Sequence, residues 1–295
     1  MIIEQLKTVG RSSLNLATTG DGPPLVLLHG VLRAWQDFSS LFASLSSHNR
    51  LLAVDFRGHG RSAAAAGYRV VDYVADTVEL LRQELDQRAV LLGHSLGAMV
   101  ALAAAAEQPS RVRGLILEDP PFETMGARIA SSGFLNYFEH LQQLAALHLP
   151  VPELAQRMAE IQIPGRNAAG LRLGDVRDAA SLRFAAHCLA AADVRVLEPI
   201  VQGDWLRGYN LASLLDRVDC PVLLLEADSA LGGMLSKDDA RQICSALADC
   251  THVPMAGVGH HIHWQQTEST LRIVHAFLAT LDEPDRGRTP SPKSR

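Results

Sequence analysis

Residues 89–100 read AVLLGHSLGAMV, and the five in the middle, Gly93-His94-Ser95-Leu96-Gly97, have the form G-x-S-x-G. Ala89 to Leu92 is an unbroken apolar run that reads as a strand buried on both faces. Ala98 to Ala106 is almost entirely small and apolar, the pattern of a buried helix packed close to a sheet. Between the two the chain must turn sharply. Such a turn strains the backbone at Ser95 and displays its Oγ at the end of the strand. Side chains two residues away on either side would collide with neighbouring elements, so glycine stands at 93 and 97. The helix that follows points its N-terminus at a reacting carbonyl, where its dipole favours developing negative charge. A five-residue pattern also recurs by chance in unrelated chains; the strand–turn–helix setting is what makes Ser95 a candidate nucleophile.

Working outward, Pro24 to Leu28 (PLVLL), Arg50 to Asp55 (RLLAVD) and Val112 to Leu117 (VRGLIL) read as further strands. Leu41 to Ser47 and Val70 to Leu85 carry apolar residues at helical spacing. Strands alternating with helices imply right-handed crossovers and a parallel sheet. After Pro120-Pro121 the rhythm changes, and from Phe122 to Leu206 helical patterning dominates with no convincing strand. The strand pattern returns at Pro221 with VLLLEAD and again at THVPM (251–255), before a closing helix over Glu268 to Leu281. The expected organisation is a core of residues 1–121 and 207–281, a helical cap or lid over 122–206, and a polar, disordered tail over 282–295. In the cap, Phe134, Tyr137, Phe138, Met158 and Trp205 are expected mainly to pack lid helices together, with lining a pocket as the alternative.

Acyl chemistry needs two N–H donors aimed at the oxyanion. One is the amide of Leu96, directly after the candidate nucleophile. The other falls in the loop after PLVLL, where Gly30 lets the backbone approach a substrate and Val31 supplies the amide. Of twelve histidines, His260 has the right setting for the base, on the loop AGVGHHIHW between the last short strand and the last helix; His261 and His263 are rivals, with His263 read as a supporting or packing residue. The order Ser…acid…His puts the acid between them. Asp228, in LLLEADSALGG, is the expected partner of His260, with Glu226 a near alternative on the same turn. Glu118 and Asp119 (LILEDPP) can also reach, although a strand-end turn shaped by two prolines explains them adequately.

The bulk properties exclude several classes. The 295 residues carry a formal net charge of -5, which offers no attraction to nucleic acid or anionic lipid. No apolar run reaches the length of a membrane span, and the first residues lack a secretory apolar region. Cys188, Cys220, Cys244 and Cys250 form no CxxC pair. Reduced thiols in a cytoplasmic protein are expected, and a Cys244–Cys250 bridge has no support.

LLHG at 27–30, DFRGHGRS at 55–62, GHSLGAM at 93–99, PVLLLEAD at 221–228 and GVGHHIHW at 257–264 together resemble the α/β-hydrolase superfamily, in its order and over nearly the whole chain outside the cap and tail. The resemblance implies an eight-stranded, mostly parallel sheet flanked by helices, a helical cap after the sixth strand, and no cofactor. Asp55 and His59 match a structural feature of that family. One departure concerns the acid. Similar proteins often read P-V-L-L-L-x-G-x-x-D, whereas here the corresponding positions are Ala227 and Ala230. Serine rather than aspartate at the elbow suits an acyl-enzyme. The expectation is therefore a serine hydrolase (a carboxylesterase) cleaving carboxylic esters of small or medium-sized substrates, acting as a monomer or a dimer. Lactone, amide or vinylogous C–C hydrolysis with the same triad is the alternative. A non-catalytic ligand-binding protein of this fold is a reading of a different class.

Overall fold

The computed structural model describes residues 1–165 and 170–282. Apart from Asp282, which ends the last helix, the expected tail lies outside the described residues. Eight strands form one sheet: β1 (Ile3–Val9), β2 (Ser12–Thr19), β3 (Pro24–Leu28), β4 (Arg50–Val54), β5 (Ala89–His94), β6 (Val112–Glu118), β7 (Val222–Ala227) and β8 (Cys250–Met255). Their order across the sheet is β1-β2-β4-β3-β5-β6-β7-β8. Pairings β1/β2 and β2/β4 are antiparallel and all the others parallel, as expected for this fold. Sequence patterning passed over β1 because it is an edge strand, exposed along most of its length and without an apolar run.

The alternation of faces is clear in β3. Leu25 and Leu27 join the core layer containing α1 (Ser39–Leu45) and the closing helix, while Val26 and Leu28 join the layer on the opposite face. That second layer contains α2 (Val70–Glu84) and α3 (Leu96–Glu107), whose residues are buried from Leu96 through Ala106. The register aligns the C-terminal strand ends: Leu28 sits opposite Gly93, His94 opposite Glu118, and Glu118 opposite Leu225. Ends of parallel strands lying side by side are where open α/β sheets place their ligands.

Between β6 and β7 the chain leaves the sheet. Three helices dominate this stretch, α4 (Phe134–Ala146), α5 (Val151–Ala159) and α6 (Ala179–Ala191). Contrary to the strandless reading, Gln162–Ile163 and Leu171–Arg172 pair as a minimal antiparallel ladder, too short to leave a periodic signal. After β7 come α7 (Lys237–Ala246), β8 and α8 (Thr267–Asp282). Cys188 and Cys220 are buried free thiols; Cys244 and Cys250, also free, bring their Sγ atoms within 2.7 Å. Among the described residues no helix is long and apolar enough to cross a membrane.

Candidate active site

Ser95 occupies the turn between β5 and α3 with φ 54° and ψ -116°, outside the ordinary regions for a residue with a side chain. Space explains the flanking glycines. A Cβ at position 97 would lie 1.8 Å from the Leu28 carbonyl oxygen, and one at position 93 would lie 2.2 Å from that of Gly97. Leu96 is the first residue of α3, so its amide has no acceptor within the helix. On the other side, His29 fixes the loop that carries Gly30 and Val31. Its Nδ1 donates to the Gly30 carbonyl at 2.7 Å and its Nε2 accepts from the Phe56 amide at 3.0 Å. Burial pushes that imidazole down to about 4, so it stays neutral. A Cβ on Gly30 would come within 3.3 Å of Ser95 Cβ. This close approach brings Val31 to the cavity that Ser95 lines.

The geometry corrects the sequence expectation for the acid. His260 Nδ1 donates to Asp119 Oδ2 at 2.5 Å. Asp119 takes φ 42°, which swings its carboxylate back over the strand ends. There it also accepts amides from Met234 at 2.8 Å, Leu235 at 3.0 Å and Ala227 at 3.3 Å. Burial alone would raise its pKa; the histidine and these amides outweigh burial and hold it below the usual carboxylate value. Asp228 is engaged elsewhere. It caps the turn at Ser229–Leu231, accepting from the Ala230 amide at 2.9 Å and from Gly257 at 3.3 Å. It thus secures the start of the loop that carries His260. Glu226 pairs with His252 at 2.7 Å. For His260, burial lowers the imidazole pKa and Asp119 offsets part of that, leaving it below 6.5. A neutral His260 is what a base requires.

Beneath this pair lies a second, fully buried one; the sequence singled out Glu118 and His263 separately but not as partners. Glu118 accepts His263 Nδ1 at 2.8 Å on each oxygen and the His263 amide at 3.1 Å. His263 Nε2 donates to the Asp37 carbonyl at 3.1 Å. Burial opposes its protonation, but Glu118 and Asp37 override it and raise the imidazole to about 10. Trp264 Nε1 donates to Asp37 Oδ1 at 2.9 Å. The adjacent carboxylates that end β6 therefore hold both His260 and His263, one loop from two points. The signal was available: consecutive acids at a strand end facing a loop that reads HHIH.

The cavity above Ser95 encloses about 780 Å3, its mouth included. His260, His261 and the Gly30–Val31 loop line one part of it; Phe134, Tyr137, Phe138 and Met158 from the helices after β6 line another. Those four were expected mainly to pack helices together, yet they also face the cavity because the helices lie across the strand ends. Trp205 does not reach it and is buried elsewhere. Two arginines, Arg33 and Arg177, also line it, as do His94 and Gln265. Asp55 accepts amides from Trp35 at 2.7 Å and Arg61 at 3.0 Å, as expected of a structural residue. Among the described residues, no group of three or more His, Cys, Asp or Glu is placed to hold a metal ion.

A serine on a strained strand-to-helix turn, sharing a cavity with a histidine–aspartate pair at the C-terminal strand ends of such a sheet, defines the α/β-hydrolase class. The chain belongs to the alpha/beta hydrolase family, whose profile matches residues 25–272, and it is a hydrolase. It is 39% identical to the 2-(acetamidomethylene)succinate hydrolase of Mesorhizobium japonicum over 275 residues, 92% of this chain and 93% of that one. The crystal structure of E-2-(acetamidomethylene)succinate hydrolase superposes with a TM-score of 0.69 and 25% identity, covering 95% of this chain and 100% of the other. An N-formylmaleamic acid deformylase from Pseudomonas putida S16 shares the fold at a TM-score of 0.71 and 18% identity, over 92% and 100% of the two chains.

Proposed function

We propose that the chain hydrolyses an acyl bond on a small unsaturated compound, of the enamide type, through an acyl-enzyme on Ser95, rather than serving as a general carboxylesterase. The relative that matches nearly its whole length acts on an acetamido-substituted alkene by name, which favours the alternative side of the sequence expectation over simple esters. The observation that carries the chemistry is the Asp119–His260 hydrogen bond beside the elbow that displays Ser95.

In this reading His260 Nε2 takes the Ser95 hydroxyl proton while Oγ forms a bond to the acyl carbon. The Leu96 and Val31 amides hold the resulting oxyanion. The carbon–nitrogen bond then breaks, and His260 returns the proton to the departing nitrogen. Water, deprotonated by the same imidazole, releases the acid and regenerates the serine. Asp119 keeps the proton on Nδ1, so Nε2 is free to act as base. The helices between β6 and β7 serve as the cap over the substrate.

Turnover of an N-acetyl enamide beside 4-nitrophenyl acetate, with wild-type protein and Ser95→Ala, tests this. The enamide should be preferred, the Ser95→Ala rate should fall by about 10^6-fold, and a fluorophosphonate should label Ser95 alone. An ester preference would return the reading to a carboxylesterase. An unlabelled, inactive wild-type protein would overturn the hydrolytic reading of Ser95.

A further inference from the structure

We propose that Arg33 and Arg177 form a carboxylate-binding subsite in the Ser95 cavity, so that the substrate is a small anionic acid held by its carboxylate while its acyl bond meets the serine. The proposal rests on the hydrolytic reading above and deepens it.

Arg33 and Arg177 line the cavity and, among the described residues, no carboxylate does, so its described charged lining has one sign. Arg33 is 3% exposed and held from several sides. Its Nε donates to Asp37 Oδ1 at 2.7 Å, and Nη2 lies 2.5 Å from the same oxygen. The guanidinium stacks 4.5 Å from the Phe184 ring centre and 5.4 Å from that of Trp264. Nη1 is left buried with no hydrogen-bond partner. Leaving a donor in that state costs free energy, which an incoming acceptor recovers. Asp37 also faces His263, whose Nε2 lies 3.7 Å from Oδ2, but Glu118 balances that histidine, so what Arg33 offers a ligand is its spare donor Nη1.

Arg177 has no ion pair among the described residues. Its Nη2 donates to His261 Nδ1 at 3.2 Å. Burial and the neighbouring arginine push the His261 pKa well below its usual value, so the ring accepts that bond without adding charge. Arg177 is itself burdened by burial. A half-buried cation without a counter-ion is costly, and a bound carboxylate supplies one. A guanidinium matches the two oxygens of a carboxylate, and the apolar lining, with Phe138, Leu141 and Met158, keeps water from screening the pair.

Calorimetric titration of Ser95→Ala with succinate, and with uncharged succinamide, tests the subsite without turnover. Succinate should bind and succinamide should bind at least tenfold more weakly. Adding Arg177→Met should weaken succinate binding tenfold or more, and Arg177→Lys should restore part of it, with thermal melts confirming that both variants fold. With Ser95 intact, the ratio of kcat/KM for mono(4-nitrophenyl) succinate over 4-nitrophenyl butyrate should fall at least tenfold in Arg177→Met. Equal binding of succinate and succinamide, or an unchanged affinity and ratio in Arg177→Met, would overturn the proposal. Arginine-dependent succinate binding in a protein without any turnover would keep the subsite and discard the hydrolytic reading. Turnover with an unchanged ratio would do the reverse.

Discussion

Asp119 and Asp228 both follow strands, both precede His260 and both satisfy the order serine, acid, histidine. They follow different strands and differ in backbone: Asp119 has φ 42° and Asp228 φ -72°. At 119 the left-handed backbone throws the carboxylate into a ring of amides and onto His260, while at 228 the carboxylate turns back to cap its own loop. Spacing rules cannot see a dihedral, so the sequence singled out Ser95 and His260 but could not show which carboxylate bonds that histidine. Asp119→Asn, by placing an amide where His260 needs an acceptor, should lower kcat by about 10^3–10^4-fold. Asp228→Asn should cost less than about tenfold, since it loosens a turn rather than the base. Steady-state rates of the two variants decide between the acids. The pH profile gives a second check. His260 acts only when neutral and its pKa lies below 6.5, so the acid limb of kcat/KM should fall with a midpoint below 6.5. A limb centred above 7 would mean that Asp119 outweighs burial.

Among the elements, β5, the elbow and α3 are the part most fully legible beforehand, because local sterics determine them. The apolar run, the two glycines and the small-residue helix answer directly to the 1.8 Å and 2.2 Å clashes that side chains at 97 and 93 would create. Gly97→Ala should therefore destabilise the fold by on the order of 3 kcal/mol, read as a lowered urea midpoint, and lose activity with it. The helices between β6 and β7 were legible as helices but not as lining. Their apolar residues satisfy one another and the cavity at once, and periodicity alone cannot divide a face between two neighbours. The edge strand β1 and the two-residue ladder escaped for the opposite reason: one is largely exposed and the other too short to have a period.

Across the whole molecule, buried histidines set the response to pH, and they act in two directions. His29 (about 4), His59 (about 3), His260 and His261 are held neutral when folded but bind protons below 6.5 when unfolded. Stability should therefore drop as pH falls below 6.5, and the lowered carboxylates Asp119 and Glu118 deepen the loss near pH 4. His263 is the reverse case, raised to about 10 when folded. Its contribution is complete below 6.5 and is lost as pH climbs toward 10, with a slope of up to about 1.4 kcal/mol per pH unit. Urea midpoints measured from pH 4 to 9 should peak near neutrality. A midpoint still rising between pH 7 and 9 would show His263 to be neutral in the native state.

Asp119 and His260 stand 141 positions apart, and the helices above the cavity are made between them. On the ribosome Ser95 emerges well before His260, the residue that would arm it. On the proposed mechanism, a nascent polypeptide would carry an inert hydroxyl until the loop after β8 has been made.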